Sequence, residues 1–357
     1  MKKHTVYKAL SLFLPLQVIG IYFTQRHFSI SQNGLYNYFY VFFVGILRKI
    51  NSLFPFSIGD VFYTFIVVLF LYYLMSFFRK KSWYFVLKIT SLISVLYFCF
   101  YLFWGLNYNR TPLYKTLNLN LNSTEMLTLN QLCSQLIVKA NELQLLLAKS
   151  DTIKVIAPYK SKKILIKSAA SYKNLAKTFS FLAYKNPNIK FSLYSKPLSL
   201  MGYSGYYNPF SSEAQVNYEI PPTQLPFTSC HEIAHQIGFA PEQEANFIGY
   251  LACINSDDAF VQYSGYLVAL SYALNNLRHI DNKGYNKILY SINKGIFKNY
   301  QENNHFWLKH KNPTTPIFQT VYDKYLKANK QAKGIKSYSG IVKLLLAYHK
   351  NYPLRNP

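Results

Sequence analysis

The chain contains 357 residues, of which 50% are hydrophobic and 18% aromatic, and it carries a formal net charge of +25 at pH 7. A charge of this size is typical of proteins that bind nucleic acid through phosphate contacts. Here the lysines are scattered among Asn, Tyr and Ser along the whole chain and no nucleic-acid-binding motif occurs, so we expect no nucleic-acid partner. The length suffices for a membrane anchor followed by one sizeable domain.

The cysteines exclude a protein held together by a disulfide framework, because there are only four and their spacing is uneven. We expect them to be unpaired. A bridge between Cys230 and Cys253 is the alternative if this part of the chain lies in an oxidising compartment.

Three apolar stretches have about the 20 residues that a helix needs to cross a bilayer, namely residues 7–25, 58–78 and 83–106. Lysines precede the first stretch, as in a signal peptide, but no small-x-small cleavage site follows it, so we predict an uncleaved helix. Residues 35–47 are apolar and aromatic but too short to span, which favours an interfacial or re-entrant helix. Residues 1–106 are therefore predicted to be a transmembrane anchor in a lipid bilayer.

Basic residues near the spans indicate the orientation. One group precedes the first span and another lies between the second and third spans: Lys2, Lys3, Lys8, Arg79, Lys80 and Lys81. Both groups are cytoplasmic if the N-terminus is cytoplasmic and everything after residue 106 is extracytoplasmic. Three basic residues in the first outer loop oppose this orientation: Arg26, Arg48 and Lys49. We expect the protein in the inner (cytoplasmic) membrane of a bacterium.

Residues 107–357 contain no further stretch that is long and apolar enough to span, so we predict one extracytoplasmic domain of mainly α (α+β) structure with a small sheet. Apolar residues at helical spacing predict helices over residues 127–149 and 164–184, the second broken near Ser168. Residues 189–198 alternate like a strand, and a loop after residue 202 leads into a strand over 214–220. Helical patterns dominate from Thr223 onwards.

One short segment carries the strongest chemical signal. Residues 226–238 read PFTSCHEIAHQIG, and a helix here places His231 and His235 one turn apart on the same face. Two imidazoles at this spacing can bind one metal ion, and Zn²⁺ is the usual choice for two histidines plus a carboxylate with an open position. Glu232 would lie beside the ion and act as a general base on a water molecule. The structural alternative is a helix with two hydrogen-bonded histidines.

A third ligand is expected from the next helix, which starts near Pro241 after a break at Gly238. Glu242 lies in its first turn, and Asn246 follows four residues later on the same face, where it could orient a ligand. Glu244 is the alternative third ligand. It points about 200° away from Glu242 around the helix axis, given about 100° per residue, so only one of the two can bind the ion.

The Glu-x-x-Ala-Asn spacing from Glu242 to Asn246 is similar to the Glu-x-x-Ala-Asp signature of gluzincin metallopeptidases. The run CHEIAHQIGFAPEQEANFIGYLAC, together with WGLNYNR after the third span, resembles a bacterial membrane-protein family of unknown function with three N-terminal helices and one long domain. The segments GYYNPFSSEAQVN and GIKSYSG extend this resemblance over most of the chain. It implies a zincin-like domain with one Zn²⁺ per chain. Two features depart from the gluzincin pattern: Asn246 replaces Asp, and the interval from His235 to Glu242 is short.

These features predict a membrane-anchored zinc metallopeptidase that acts on a peptide or protein substrate. Peptidases of this kind align an extended substrate along an edge strand, for which we predict Ala214, Gln215, Val216 and Asn217, with an ordinary core strand as the alternative. They also use a Tyr or His to stabilise the oxyanion. Here the sequence offers several candidates without selecting one: His279, His305, His310, Tyr338 and other tyrosines. The segment WGLNYNR is predicted to be an aromatic and basic anchor at the membrane interface.

Three other functions are compatible with the same residues. The zinc site could be structural in a protein without catalytic activity. The protein could be an envelope-binding module without metal, whose basic surface meets anionic lipid or cell-wall polymer. It could also be a cell-wall amidase with the same zinc chemistry. The sequence leaves the oligomeric state open.

Overall fold

The structure is a computed structural model that describes residues 2–30, 34–80, 84–121, 128–331, 334 and 340–354. Its first elements are the helices α1 (Lys2–His27), α2 (Leu35–Asn51), α3 (Ile58–Lys80) and α4 (Tyr84–Phe103), followed by a 3₁₀ turn (Gly105–Asn109) and the short helix α5 (Leu113–Thr116). The larger part continues with α6 (Leu129–Ala148), α7 (Ser161–Thr178), a second 3₁₀ turn (Ser180–Leu182), β1 (Ile189–Phe191), α8 (Ser195–Met201), β2 (Gly205–Asn208) and β3 (Glu213–Val216). It ends with α9 (Leu225–Gln236), α10 (Glu242–Ile254), α11 (Ala259–Ile280), α12 (Asn282–Leu289), α13 (Lys294–His310), α14 (Thr315–Ala328) and α15 (Ile341–Asn351).

Three of these helices are long and apolar enough to cross a membrane: α1, α3 and α4. The prediction of three N-terminal spans followed by a mainly helical domain with a small sheet is confirmed. The first and third spans pack side by side, and small polar side chains connect them. Ser11 Oγ lies 2.6 Å from Thr90 Oγ1, and Gln17 Nε2 donates to Ser94 Oγ at 2.9 Å. Such interhelical hydrogen bonds are a usual means of association between membrane helices.

Helix α2 covers the predicted interfacial segment, and its two faces have different surroundings. Four residues at helical spacing are buried against the larger domain: Tyr40, Val44, Arg48 and Asn51. The opposite face exposes large apolar side chains, among them Tyr38, Val41 and Phe42. One face of α2 therefore belongs to the domain, while the other is suited to the bilayer interface.

Helices α9, α10 and α11 form the centre of the domain, and α6, α7 and α15 pack around them. Helix α6 begins with a capping box between Thr128 and Gln131. The predicted break near Ser168 was wrong: α7 runs through this residue, whose Oγ is accommodated within the helix by donating to the carbonyl of Ile164 at 2.8 Å. All four cysteines are unpaired.

The strand predicted over residues 189–198 is only three residues long and gives way to helix α8. Pro197 falls in the first turn of α8, where its missing N–H is not needed for helical hydrogen bonds. The predicted strand is therefore replaced by a helix from Ser195 onwards.

The sheet corrects the prediction of an edge strand at Ala214, Gln215, Val216 and Asn217. Its order is β1-β3-β2, so β3 is the central strand, parallel to β1 and antiparallel to β2. Asn217 lies just beyond β3, and its side chain donates to Ser199 Oγ (2.9 Å) and to the carbonyl of Tyr203 (3.1 Å). Among the described residues no strand pairs with the outer side of β1 or of β2, so both are edge strands, and β2 is the one that contacts α9.

Two buried carboxylates join the sheet to the start of α3. Glu213 in β3 accepts hydrogen bonds from the backbone of Ile58 (3.2 Å) and Gly59 (2.6 Å), at the N-terminal end of the helix, where the helix dipole favours negative charge. Lys190 pairs with the same carboxylate at 2.6 Å. Asp60 in turn accepts from the backbone N–H of Leu193 (2.6 Å) and from the Tyr206 hydroxyl. The first turn of this span is therefore held inside the domain.

Candidate metal centre

Helix α9 carries the two histidines and ends where the motif predicts. Gly238 adopts a left-handed conformation with φ of 101°, its N–H bonds to the carbonyl of His235, and that of Phe239 bonds to Ala234. This is the Schellman arrangement that satisfies the last carbonyls of a helix. A side chain at 238 is also excluded by space, because its Cβ would lie 2.5 Å from Nη2 of Arg110. The turn brings α10 back across α9.

The side chains of the motif converge as its spacing predicts. One nitrogen of His231, one nitrogen of His235 and one carboxylate oxygen of Glu232 lie within 4.8 Å of one another. The Nδ1 atom of His235 lies 2.8 Å from the carbonyl oxygen of Phe239, a contact in which the ring donates. This bond fixes the ring and leaves Nε2 free to face the cluster, as for many metal-binding histidines.

Glu242 completes the cluster. Its carboxylate oxygens lie 3.3 Å from Nε2 of His231 and 3.6 Å from Nε2 of His235. The two helices can approach this closely because Gly249 of α10 faces the backbone of His231, where an added Cβ would lie 3.1 Å from the amide nitrogen. Tyr322 of α14 donates a hydrogen bond of 2.5 Å to Oε1 of Glu242, the oxygen that also faces His235.

The alternative ligand Glu244 points elsewhere. Its Oε1 accepts a hydrogen bond of 2.8 Å from the backbone N–H of Leu113, and Arg110 lies close enough to interact electrostatically. Burial raises the pKa of Glu244 to about 7. Of the two carboxylates in the first turn of α10, only that of Glu242 faces both histidines.

Asn246 is buried in the cavity wall, on the same face of α10 as Glu242. The hydrogen bond that we expected it to make to a histidine is not seen. Within the described part of the chain, neither Nδ2 of Asn246 nor Nδ1 of His231 has a hydrogen-bond partner. Asn246 thus contributes an unpaired polar group beside the cluster.

The charges of the cluster are strongly coupled. Burial raises the pKa of Glu232 to about 7, although the neighbouring histidines oppose this shift. Burial lowers the pKa of His235, but the Glu242 and Glu232 carboxylates outweigh it and bring that pKa to about 9. Burial also disfavours the Glu242 carboxylate, yet the two histidines hold its pKa well below the usual range. The two carboxyl groups and His235 therefore shift one another's pKa values in opposite directions.

These observations fit a divalent metal. The donor set of two imidazoles and one carboxylate is typical of catalytic zinc sites. Two buried carboxylate oxygens of the cluster have no hydrogen-bond partner among the described residues, Glu232 Oε2 and Glu242 Oε2, and carboxylate oxygens are metal ligands. Buried polar atoms without partners are rare in folded proteins and indicate a missing ion or water.

The cluster faces a cavity of about 940 Å³. Its walls are largely aromatic and include Tyr63, Trp104, Tyr206, Tyr272, Trp307 and Tyr325. Among the described residues that line it, the only acids and bases besides tyrosine are the four residues of the cluster. None of His279, His305 and His310 is among the lining residues, and Tyr338 lies outside the described residues.

Strand β2 lies directly against Glu232. A Cβ added to Gly205 would lie 2.8 Å from Oε1 of Glu232 and 2.7 Å from the carbonyl oxygen of Gln215. Only glycine therefore allows the strand to lie this close to the carboxylate. This contact could not be predicted, because Gly205 stands in a Gly- and Tyr-rich segment whose composition is typical of a loop.

The segment WGLNYNR was wrongly predicted to be a membrane-interface anchor, since several of its side chains are buried against the site. The ring of Trp104 lies edge-on to that of His235, with centroids 5.6 Å apart, and close to Tyr207 at 4.7 Å. Tyr40 of α2 donates to the carbonyl of Gln236 (3.3 Å) at the end of α9. Trp104 and Tyr40, which belong to the membrane-proximal part of the chain, thus support helix α9.

Comparison with known proteins gives one result. No curated protein and no solved structure matches the chain. A family model matches residues 36–346, from α2 to α15, and so includes α9, α10 and every residue of the cluster. The chain belongs to this family, which is described as "Protein of unknown function (DUF3810)".

Proposed function

We propose that the protein is a membrane-anchored zinc metallopeptidase. The observation that carries this proposal is the convergence of His231, His235 and Glu242 beside a fourth group, Glu232, at the wall of a large cavity. Structural zinc sites use four protein ligands and are closed, whereas catalytic sites keep one position for water or substrate. An acid beside three potential ligands and an adjoining cavity are features of the second kind.

His231, His235 and Glu242 would hold the ion. When bound, a zinc ion supplies a Lewis acid that polarises the carbonyl group and lowers the pKa of a water molecule. The hydrogen bond from His235 to the carbonyl of Phe239 and that from Tyr322 to Glu242 hold two of these ligands in position.

Glu232 is proposed as the general base and later the proton donor. Its carboxylate takes a proton from the attacking water as the water oxygen bonds to the carbonyl carbon of the substrate. The same proton passes to the amide nitrogen as the C–N bond breaks, so that one water is consumed and a new carboxyl group and a new amine result. Oε2 of Glu232 is buried beside the cluster and has no hydrogen-bond partner among the described residues, so it can accept that proton.

Tyr272 is the proposed oxyanion-stabilising residue. It lines the cavity from α11, and Glu242 lies near enough to influence its charge. Burial raises the pKa of Tyr272, so its hydroxyl stays protonated and can donate a hydrogen bond to a developing negative charge. The open edge of β2, next to Glu232, would align the substrate by strand pairing.

The basic residues around the spans favour a cytoplasmic N-terminus and an extracytoplasmic catalytic domain in a bacterial inner membrane. Arg79 and Lys80 lie at the end of α3 that is remote from the domain, where they would remain on the cytoplasmic side. The substrate is then a polypeptide on the outer side of that membrane.

The proposal is tested on the full chain, purified in detergent. Zinc content is measured for the wild type, for His231→Ala and for Glu232→Gln, and each protein is incubated with a mixed peptide library. We expect about one zinc per chain in the wild type and in Glu232→Gln, loss of zinc in His231→Ala, and cleavage by the wild type alone. Zinc without cleavage would favour a structural site or a non-peptide substrate such as a cell-wall amide. Absence of zinc after reconstitution would overturn the proposal.

A further inference from the structure

Strand β2 connects the proposed active site with the membrane. Its first residue, Gly205, lies against the Glu232 carboxylate, and its last, Asn208, lies against Gly59 in the first turn of α3. A strand rises about 3.3 Å per residue, so three residue steps cover roughly 10 Å. The apolar side chains of α3 that are exposed, and so available to lipid, begin at Val61, only two residues beyond Gly59.

The outer ends of two spans also form part of the cavity wall. Tyr63 belongs to the second turn of α3, and Trp104 and Tyr108 follow directly after α4. Since the ring of Trp104 is in contact with that of His235, the cluster lies within one side chain of the end of a span. The cavity is therefore continuous from the cluster to the ends of two helices that are able to span a membrane.

Two successive side chains of β2, which point to opposite faces of the sheet, contact these spans. The Tyr206 hydroxyl donates to Asp60, and its ring stacks near that of Tyr63 with centroids 6.2 Å apart. The Tyr207 ring packs on Trp104 at 4.7 Å. A polypeptide paired with the open edge of β2 would thus lie parallel to a strand whose position is set by two membrane helices.

We propose that the substrate is a membrane-anchored polypeptide that is cut within about six residues of its own transmembrane segment. The scissile bond would lie opposite Gly205, and three or four residues paired along β2 would lead to the bilayer surface beside α3. This inference rests on the proposed peptidase function and specifies its substrate class.

The test uses the full chain reconstituted in lipid vesicles. The probe is a randomised 12-residue segment joined to a leucine- and alanine-rich span of about 20 residues, a length that crosses a bilayer. The same randomised segment without the span is offered at equal concentration. Products are identified by mass spectrometry, with Glu232→Gln as the blank. We expect the anchored library to be cut at least tenfold faster, with cuts concentrated within six residues of the span.

The outcomes separate the two proposals. Equal cleavage of both libraries, or cuts spread evenly along the anchored segment, would overturn the membrane-anchored substrate while the peptidase function stands. Failure to cut either library, with zinc bound, would contradict the peptidase function and the inference together.

A matched pair of variants on α3 tests the role of the span. Tyr63→Ala removes a ring from the cavity wall, and we expect the preference for the anchored library to fall at least threefold. Tyr72→Ala removes a tyrosine of the same helix that is exposed and does not line the cavity, and we expect it to leave the preference unchanged. An equal effect of the two substitutions would contradict the proposed path of the substrate.

Discussion

Glu242 and Glu244 are two residues apart, similarly buried, and differ only in what their carboxylates face. Glu242 lies against His231 and His235, whereas Glu244 accepts a hydrogen bond from the backbone of Leu113. We therefore expect Glu242→Gln to weaken zinc binding at least about 100-fold, since a neutral amide replaces a charged ligand. Glu244→Gln keeps an oxygen for Leu113 and is the matched control, with zinc affinity within about threefold of the wild type.

Zinc affinity of these variants is measured by competition with a chelator, which requires no activity. The reverse result, with zinc lost in Glu244→Gln and kept in Glu242→Gln, would show that Glu244 is the ligand. Loss of zinc binding in both variants would indicate that zinc binding depends on the conformation of the first turn of α10 and not on one carboxylate alone.

A second test adds a single methyl group at Gly205, next to the Glu232 carboxylate. Gly205→Ala places a methyl group 2.8 Å from Oε1 of Glu232 and 2.7 Å from a rigid backbone oxygen, so the carboxylate or the strand must move. A displacement of about 1 Å at a catalytic group can cost on the order of 100-fold in rate. We expect peptide cleavage to fall by about that factor while zinc content is unchanged.

The control for Gly205→Ala is Gly45→Ala in α2, where an added Cβ has no neighbour within 4 Å. Alanine favours a helix over glycine, so this variant should retain full activity and stability. If Gly205→Ala were as active as Gly45→Ala, β2 would not contribute to the position of Glu232.

The residues of the cluster could be predicted from sequence because they are close along the chain and helical geometry fixes their relative directions. His231, His235 and Glu242 follow from spacings of four and seven residues. Trp104 and Tyr322 could not be predicted, because they reach the cluster from more than 70 residues away along the chain. The position of Trp104 at the end of a span also satisfied the rule for interface anchors, which concealed its contact with His235.

At the level of secondary structure, β3 shows why a central strand was predicted to be an edge. The prediction rested on the substrate-aligning strand that zinc peptidases use and on the place of this segment, EAQV, just before the motif helix. In the structure Glu213 and Gln215 are buried, and their polar atoms bond to the N-terminal region of α3, including Ser57. The N-terminal region of α3 supplies the hydrogen-bond partners that water would supply to an edge strand. The sequence of the strand alone does not reveal these partners.

Helix α15 packs on α10 through a buried histidine, which predicts a dependence of stability on pH. The hydroxyl of Tyr250 lies 2.8 Å from Nε2 of His349, and Nδ1 of His349 lies 3.0 Å from the carbonyl of Tyr352. Burial lowers the pKa of His349 to about 4, although the bond to Tyr352 opposes this. The neutral ring, with its proton on Nδ1, satisfies both contacts.

Because the pKa of His349 is lower in the folded chain than the ordinary value of about 6.5, the unfolded chain binds an extra proton between these values. The contribution of His349 to stability is therefore complete above pH 6.5 and is lost as the pH falls towards 4, by at most about 3 kcal/mol. We expect the thermal midpoint in detergent to fall between pH 7 and pH 5. His349→Gln should reduce this dependence, whereas substitution of the exposed His305 by Gln should not. Identical pH profiles for all three proteins would contradict this assignment.

At the scale of the whole molecule, the membrane anchor and the larger domain share a hydrophobic core. One buried cluster draws its members from α2, the end of α4, β2 and the turn after α9: Tyr40, Val44, Trp104, Tyr108, Tyr207 and Ala240. The sequence predicted a boundary at residue 106 from the loss of apolar spans. That criterion locates the bilayer, but it does not detect that side chains on both sides of the boundary pack together.

This shared core predicts that residues 107–357 do not fold as a stable unit without residues 1–106. Their removal deletes Tyr40 and Trp104, and each large buried aromatic side chain is worth about 3–5 kcal/mol, against a typical total stability of about 5–15 kcal/mol. It also removes the backbone N–H groups of Ile58 and Gly59, which leaves Glu213 with fewer donors. We expect the fragment to aggregate or to unfold at a much lower temperature than the full chain. Co-expression of residues 1–106 as a separate chain should rescue it, because the missing contacts can form between two chains. A monomeric fragment that binds zinc and unfolds at the temperature of the full chain would show that the domain is independent of its anchor.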